Sequence, residues 1–277
     1  MGRVVLLQAN ERFEKYLDVA LRTWLSHNDR RKWDFYLLDL GLSAASIKKY
    51  GKLCHLDRVA DDNRWGRFVH AEARLEAMAY LCEQGHTVFQ LDADVLSLDS
   101  TEPWISEFEK SDAEFSAVSE FPHHLFMQFN SGKPLAALIA DYPRLGDTSF
   151  STPSWNFGLV MLKGPKAIHL CREAACIMRR HEAALPWAEQ SAFNAAFYGE
   201  SGSCLQMGRI YNYMLNVHQI RVTPDWKAEA IDNPEEKVRL VHYAGHDQKI
   251  SLHGPYAPHE ELWLHWAVHA PLLGDLI

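Results

Sequence analysis

Residues 87–96 read Thr87-Val88-Phe89-Gln90-Leu91-Asp92-Ala93-Asp94-Val95-Leu96. An apolar run of strand character ends there in two carboxylates one residue apart. Side chains alternate faces along a strand, so Asp92 and Asp94 are expected on one side and Ala93 on the other. Two like charges at the end of a buried strand repel each other unless a cation lies between them. Hard carboxylate oxygens suit Mg²⁺ or Mn²⁺, and those ions in turn bind diphosphate oxygens. A lone D-x-D arises roughly once by chance in a chain of this length. The segments around it give it weight.

Upstream, strand-like and helix-like segments alternate. Residues 4–7 read as a buried strand, and residues 14–25 as a helix with Tyr16, Leu17, Ala20, Leu21 and Trp24 at helical spacing. A second strand is expected over 35–38, a short helix capped by Ser43 and carrying Ile47 and Tyr50, and a third strand near 53–56. The polar run 61–67 leads into a helix over 69–83, stopped by Gly85 and feeding the strand that carries the aspartates. This order predicts an α/β fold with a mostly parallel central sheet and helices on both faces. Ligands of such sheets bind at the carboxyl ends of the strands, where Asp92 and Asp94 fall.

Downstream the pattern breaks. Pro122, Gly132, Pro134, Pro143, Gly146 and Pro153 interrupt residues 121–155, leaving room for a short helix over 134–140. Long irregular insertions of this kind form lids and binding loops or are poorly ordered. With His123, His124, Phe126, Phe129 and Trp155, this one is expected to form the acceptor side of a site. Order resumes with a strand over 157–162, a helix near 165–181, a helix from Glu189, a strand over 238–243 and an amphipathic helix within 259–273. His265 and His269 on that last helix share a helical face, but no third metal ligand accompanies them.

With 277 residues, 47% hydrophobic and 23% charged, the chain has the composition of an ordinary globular protein with room for a large core. Its formal net charge of −8 argues against a nucleic-acid partner and leaves any anionic substrate dependent on a metal or a few placed cations. The five cysteines (Cys54, Cys82, Cys171, Cys176 and Cys204) are scattered, with no C-x-x-C pair, which fits a reducing compartment. The apolar run at 4–7 is too short for a signal peptide, and Leu6 stands where a myristoylation signal needs Ser or Thr. No run reaches the length of a membrane span. A cytoplasmic protein is expected, with peripheral membrane contact left open.

Three further segments join the aspartates. Trp155-Asn156-Phe157-Gly158 opens an apolar strand, Glu189-Gln190-Ser191-Ala192-Phe193-Asn194 starts a helix, and His242-Tyr243-Ala244-Gly245 ends another strand. In order and spacing, over roughly residues 1–250, these resemble the retaining, glycogenin-like family 8 glycosyltransferases and their relatives, which carry D-x-D, F-N-x-G, D-Q-x-x-L-N and H-x-x-G-x-x-K-P-W. The resemblance implies a single GT-A (Rossmann-like) domain over 1–277. Residues 1–120 would form its nucleotide-binding half, and 121–277 its acceptor-binding half with a C-terminal helix.

Carried over by position, the resemblance implies that Asp92, Asp94 and His242 bind the metal, Mn²⁺ rather than Mg²⁺ because one ligand is an imidazole. Asn156 would hydrogen-bond the donor sugar. Gln190 would lie beneath the anomeric carbon, with Glu189 on the sugar hydroxyls. Arg74 and Asn10 would contact the donor, and Gly245 and Lys249 its diphosphate. The chain departs from the pattern at Glu189, where the family holds Asp, and after Gly245, where K-P-W is absent and Lys249 comes one residue late.

The implied activity is transfer of a hexose from a nucleotide-diphosphate sugar, UDP being the expected nucleotide, to a hydroxyl of a carbohydrate or glycan, with retention; a lipid-linked acceptor stays open. Two alternatives stand beside it. One is a sugar-nucleotide-binding protein with lost or altered turnover. The other is a nucleotidyltransferase of related fold, which would want a glycine-rich loop where Gln8-Ala9-Asn10-Glu11-Arg12 follows the first strand.

Overall fold

The computed structural model describes residues 2–59, 69–149, 151–200, 203–215, 218–243 and 257–276. Strand β1 (Arg3–Ala9) is followed by α1 (Glu14–His27), β2 (Asp34–Asp39), α2 (Ala44–Tyr50) and β3 (His55–Arg58). Then come α3 (Val69–Glu83), β4 (Thr87–Leu91), β5 (Val95–Ser97), α4 (Glu102–Lys110) and β6 (Phe115–His124). The middle of the chain holds α5 (Lys133–Asp141), α6 (Pro143–Gly146), β7 (Pro153–Leu162), α7 (Gly164–His181) and α8 (Ala188–Gly199). Short strands β8 (Cys204–Met207), β9 (Tyr213–Met214), β10 (Ile220–Val222), β11 (Ala228–Ala230), β12 (Lys237–Val238) and β13 (Leu240–His242) precede α9 (Pro258–His269) and α10 (Leu273–Leu276).

Seven strands form the central sheet in the order β3-β2-β1-β4-β7-β6-β8. Pairs β3/β2, β2/β1, β1/β4 and β6/β8 are parallel, while β7 runs antiparallel between β4 and β6. Helices cover both faces. Leu75, Met78 and Leu81 of α3, Ile177 of α7 and Phe193 of α8 bury one face; Leu21 and Trp24 of α1 and Trp104 and Phe108 of α4 bury the other. The expected α/β architecture is therefore the observed one.

Local chemistry explains the boundaries. Ser43 caps α2 by accepting from the Ser46 N–H at 3.2 Å. Gly85, at φ +82°, ends α3: its N–H bonds to Cys82 O and that of His86 to Leu81 O, an arrangement that needs a left-handed residue. Pro134 and Pro143 lie in the first turns of α5 and α6, where a missing N–H costs nothing, so they open helices rather than break them. The described residues of 121–155 hold more regular structure than their proline content predicts. β6 extends into the stretch, and Leu125, Leu138 and Leu145 are fully buried in the core.

One expectation about the aspartates needs correction. β4 ends at Leu91, and Asp92 to Asp94 form a turn instead of continuing the strand. The Asp92 N–H bonds to Gly158 O on β7, and the Val95 N–H closes back on Asp92 O. The chain then leaves the main sheet as β5, which pairs antiparallel with β13, itself parallel to β9. Strand alternation does not aim the two carboxylates; this turn and the small sheet do.

Candidate metal and donor site

The turn after β4 and the end of β13 meet because Val95 pairs with His242 and the Tyr243 N–H bonds to Asp94 O. This brings one ligand atom each of Asp92, Asp94 and His242 to within 4.8 Å of one another. His242 Nε2 lies 3.7 Å from Asp92 Oδ2 and 3.5 Å from Asp94 Oδ1. Asp94 and His242 are buried, at 5% and 3% exposure.

A chain of amides sets the proton on the imidazole. Asn156 Oδ1 accepts from the Gly158 N–H at 3.0 Å, so Asn212 must approach it with Nδ2, at 2.8 Å. Asn212 Oδ1 is thereby turned to His242 Nδ1, 2.9 Å away, which donates to it. Burial, outweighing the nearby carboxylate of Asp92, holds the imidazole pKa below its ordinary value and keeps the ring neutral. Its Nε2 lone pair then faces two carboxylate oxygens with no proton between. Three electron-rich atoms so placed fit a divalent cation, and the outer bond to Asn212 is the kind that orients a metal-binding histidine. Gly158 is part of this fit, because a Cβ on it would overlap the His242 ring.

Asp92 is held from behind. Its Oδ1 accepts from Arg74 Nη1 and from Gln90 Nε2, both at 2.9 Å. Arg74 is buried, pairs through Nη2 with Glu189 Oε1 at 2.9 Å, and leaves its Nε buried without a hydrogen-bond partner. A cleft of about 230 Å³ lies alongside, lined by Gln8, Asn10, Arg74, Asp92 and Asp94 among others. Asn10 begins the short turn after β1, its side-chain oxygen accepting from the Arg12 N–H at 3.1 Å. The cleft thus opens at the carboxyl ends of β1 and β4.

Gln190 and Asn194, one turn apart on α8, clasp β7 where its pairing with β6 slips register. Gln190 Oε1 accepts from the Phe157 N–H at 3.0 Å, and Asn194 bonds both backbone groups of Trp155, at 2.8 and 2.9 Å. The amides satisfy backbone groups that the irregular ladder serves poorly. At its other end Gln190 Nε2 donates to Glu120 Oε2 at 2.7 Å and to Gln128 Oε1 at 3.0 Å. Gln128 Nε2 also donates to Glu120 Oε2, at 2.7 Å, and Asn156 Nδ2 reaches Glu120 Oε1 at 3.4 Å. Just before this segment Ala188 takes φ +41°, a left-handed conformation that costs a side-chain-bearing residue free energy.

The structure therefore gathers Asp92, Asp94, His242, Arg74, Glu189, Gln190, Asn156 and Asn10 around one end of the sheet. Gly245 and Lys249 lie outside the described residues. Sequence reasoning missed Glu120, Gln128, Gln90 and Asn212. Gln90 precedes Asp92 by two, at the end of β4, and that spacing was a usable signal; the other three come from strands and turns with no periodic mark. His265 stacks on Trp226 at 4.1 Å, and among the described residues Asp92, Asp94 and His242 form the only three-residue group suited to a metal ion.

No protein-family model and no curated protein matches this chain. Solved structures do. The WbbM bifunctional glycosyltransferase superposes with a TM-score of 0.68 at 12% identity, covering 99% of this chain and 51% of its own, so the chain spans about half of WbbM. The galactosyltransferase LgtC, solved with donor and acceptor sugar analogues, gives 0.62 at 16% identity with 95% of both chains covered. Mouse xyloside xylosyltransferase 1 gives 0.56 at 12% identity, covering 88% of this chain and 98% of its own. The architecture is that of GT-A glycosyltransferases, a likeness of fold at these identities.

Proposed function

We propose that this chain is a metal-dependent glycosyltransferase that moves a hexose from a nucleotide-diphosphate sugar to a hydroxyl of a carbohydrate acceptor. The observation that carries this reading is the meeting of Asp92, Asp94 and a neutral His242 at the carboxyl ends of parallel strands, beside a cleft lined by Asn10 and Arg74. Asp92, Asp94 and His242 would hold Mn²⁺, or Mg²⁺, whose chemical contribution is to stabilise negative charge on the departing diphosphate, worth several kcal/mol.

The chain's own residues do the rest. Asn10 binds the nucleoside, UDP being the reading that the family resemblance favours. Arg74 keeps Asp92 aimed at the cluster, and Asn212 keeps the His242 lone pair there. Asn156 and Glu189 bind sugar hydroxyls, and the family resemblance assigns Gly245 and Lys249 to the diphosphate. Gln190 sits at the reacting carbon; one LgtC structure is that of an active-site variant in which a glutamine is replaced by glutamate, which supports a glutamine in this role. An amide is a poor nucleophile, so we infer that the acceptor hydroxyl attacks on the face the leaving group vacates, with retention, its proton passing to the departing phosphate. Residues 1–120 supply most of the donor side, and 121–277 the acceptor side and the imidazole.

The test is donor hydrolysis and transfer measured with UDP-sugars in Mn²⁺ and in EDTA, in the wild type and in Asp94→Ala. The variant is expected to fold and to lose at least about 10²-fold in turnover, as removal of several kcal/mol implies. Full activity in EDTA or in the variant overturns the proposal.

A further inference from the structure

The central sheet ends at β3, and a groove of about 630 Å³ lies beside that edge, sharing no lining residue with the donor cleft. Its walls follow from strand and helix periodicity. Tyr36 on β2 is in register with His55 on β3, and their rings lie 4.8 Å apart. Asp57, two residues along, shares the His55 face and accepts from the Tyr36 hydroxyl at 2.8 Å. Tyr80 and Gln84, one turn apart near the end of α3, form the opposite wall, and His86 closes it.

Three features narrow the ligand. Tyr80 is 51% exposed, so its ring offers a face to the groove. Among the described residues no Lys or Arg lines the groove and Asp57 supplies its one carboxylate, which disfavours phosphates and other anions. The lining is not one of the three-ligand metal groups among the described residues. What remains is a ring to pack on an apolar face, with a carboxylate, an amide and imidazoles within reach of hydroxyls.

We infer that this edge groove binds a neutral pyranose unit of a glycan, as a second saccharide contact separate from the donor cleft. The choice of a glycan over other polyols rests on the transferase reading; the groove's chemistry stands without it.

Saturation-transfer NMR with lactose, maltotriose and N-acetyllactosamine tests the inference. At least one saccharide is expected to receive saturation from the protein and to bind about tenfold more weakly to Tyr80→Ala, while Tyr80→Phe keeps the ring and the binding. Gln84→Ala, also at an exposed position, is expected to weaken binding in the same direction. Asp94→Ala, which disables the donor site, leaves this binding intact, so failure of the transferase reading and failure of this one are separable. Lack of binding by all three sugars, binding indifferent to Tyr80→Ala, or capture of tetramethylammonium in their place overturns it.

Discussion

At the scale of single residues, the imidazole of His242 serves two purposes that are usually separate. It is a buried hydrogen-bond donor to Asn212 and the third member of the acidic cluster. His242→Ala should therefore lose both: about 1–3 kcal/mol of stability from the stranded Asn212 oxygen, and the rise in melting temperature that Mn²⁺ is expected to give the wild type. Gly158→Ala separates the two. The added methyl pushes the ring aside without deleting it, so the Mn²⁺-dependent rise should vanish while His242 is still present. A Gly158→Ala protein that binds Mn²⁺ like wild type would show that the ring is not a ligand. If Gln190 lies at the reacting carbon, Glu120, which accepts from Gln190 and Gln128, would position it: Glu120→Gln should lower kcat by about tenfold with little change in the donor KM. Equal loss in the two parameters would assign Glu120 to donor binding instead. These residues also show what was legible. Asp92, Asp94 and His242 could be read because two carboxylates at a strand end have few chemical meanings and a fixed order of motifs fewer. Glu120, Gln128 and Asn212 could not, because their importance lies in which distant amide they meet.

At the scale of elements, the stretch after β6 illustrates how composition misleads. Six Pro and Gly residues between 121 and 155 argue for irregular chain, yet two of the prolines start helices and Leu125, Leu138 and Leu145 are at 0% exposure. Proline reports local backbone options, whereas burial of those leucines is decided by α7 and α8, far along the chain. Leu145→Ala should consequently cost about 2–5 kcal/mol, read from a denaturant titration. A cost near zero would mean the stretch is a surface insertion after all. By contrast α1, α3 and β2 fall where the sequence places them, α3 over Val69–Glu83 as expected, while β3 lies two residues later than expected, at His55–Arg58. The boundary of β4 does not, because only its contact with Gly158 on β7 shows that the strand stops at Leu91.

At the scale of the whole molecule, the C-terminal helices tie the short-stranded region to the first helix. Trp263 of α9 packs on Tyr16 of α1 and on Tyr243, with ring centres 5.5 and 4.8 Å away. His27, at the end of α1, lies against Trp266 of the same helix. Burial, reinforced by Lys227, lowers the His27 pKa to about 4. The unfolded chain, with an ordinary histidine, binds the proton first as pH falls below about 6.5. Stability at this site is therefore full above pH 6.5 and declines on acidification toward pH 4. After allowance for solvent screening the loss by pH 5 is about 1 kcal/mol, or about 2–4 °C in melting temperature. His27→Phe should lose less melting temperature between pH 7 and pH 5 than the wild type does. Equal losses would exclude His27 as a source of acid sensitivity. Among the described residues no helix is long and apolar enough to cross a membrane.

The pairing of β5 with β13 bears on how the protein is made. Both aspartates leave the ribosome early, but the strand that β5 pairs with, and the imidazole it delivers, are synthesised only with residues 240–242. Until then β5 lacks its antiparallel neighbour, and the two carboxylates lack the imidazole that completes the three-residue group. A nascent chain ending before Leu240 thus contains all seven strands of the central sheet and no assembled cluster. The three side chains of that group come together only late in translation, when β13 docks.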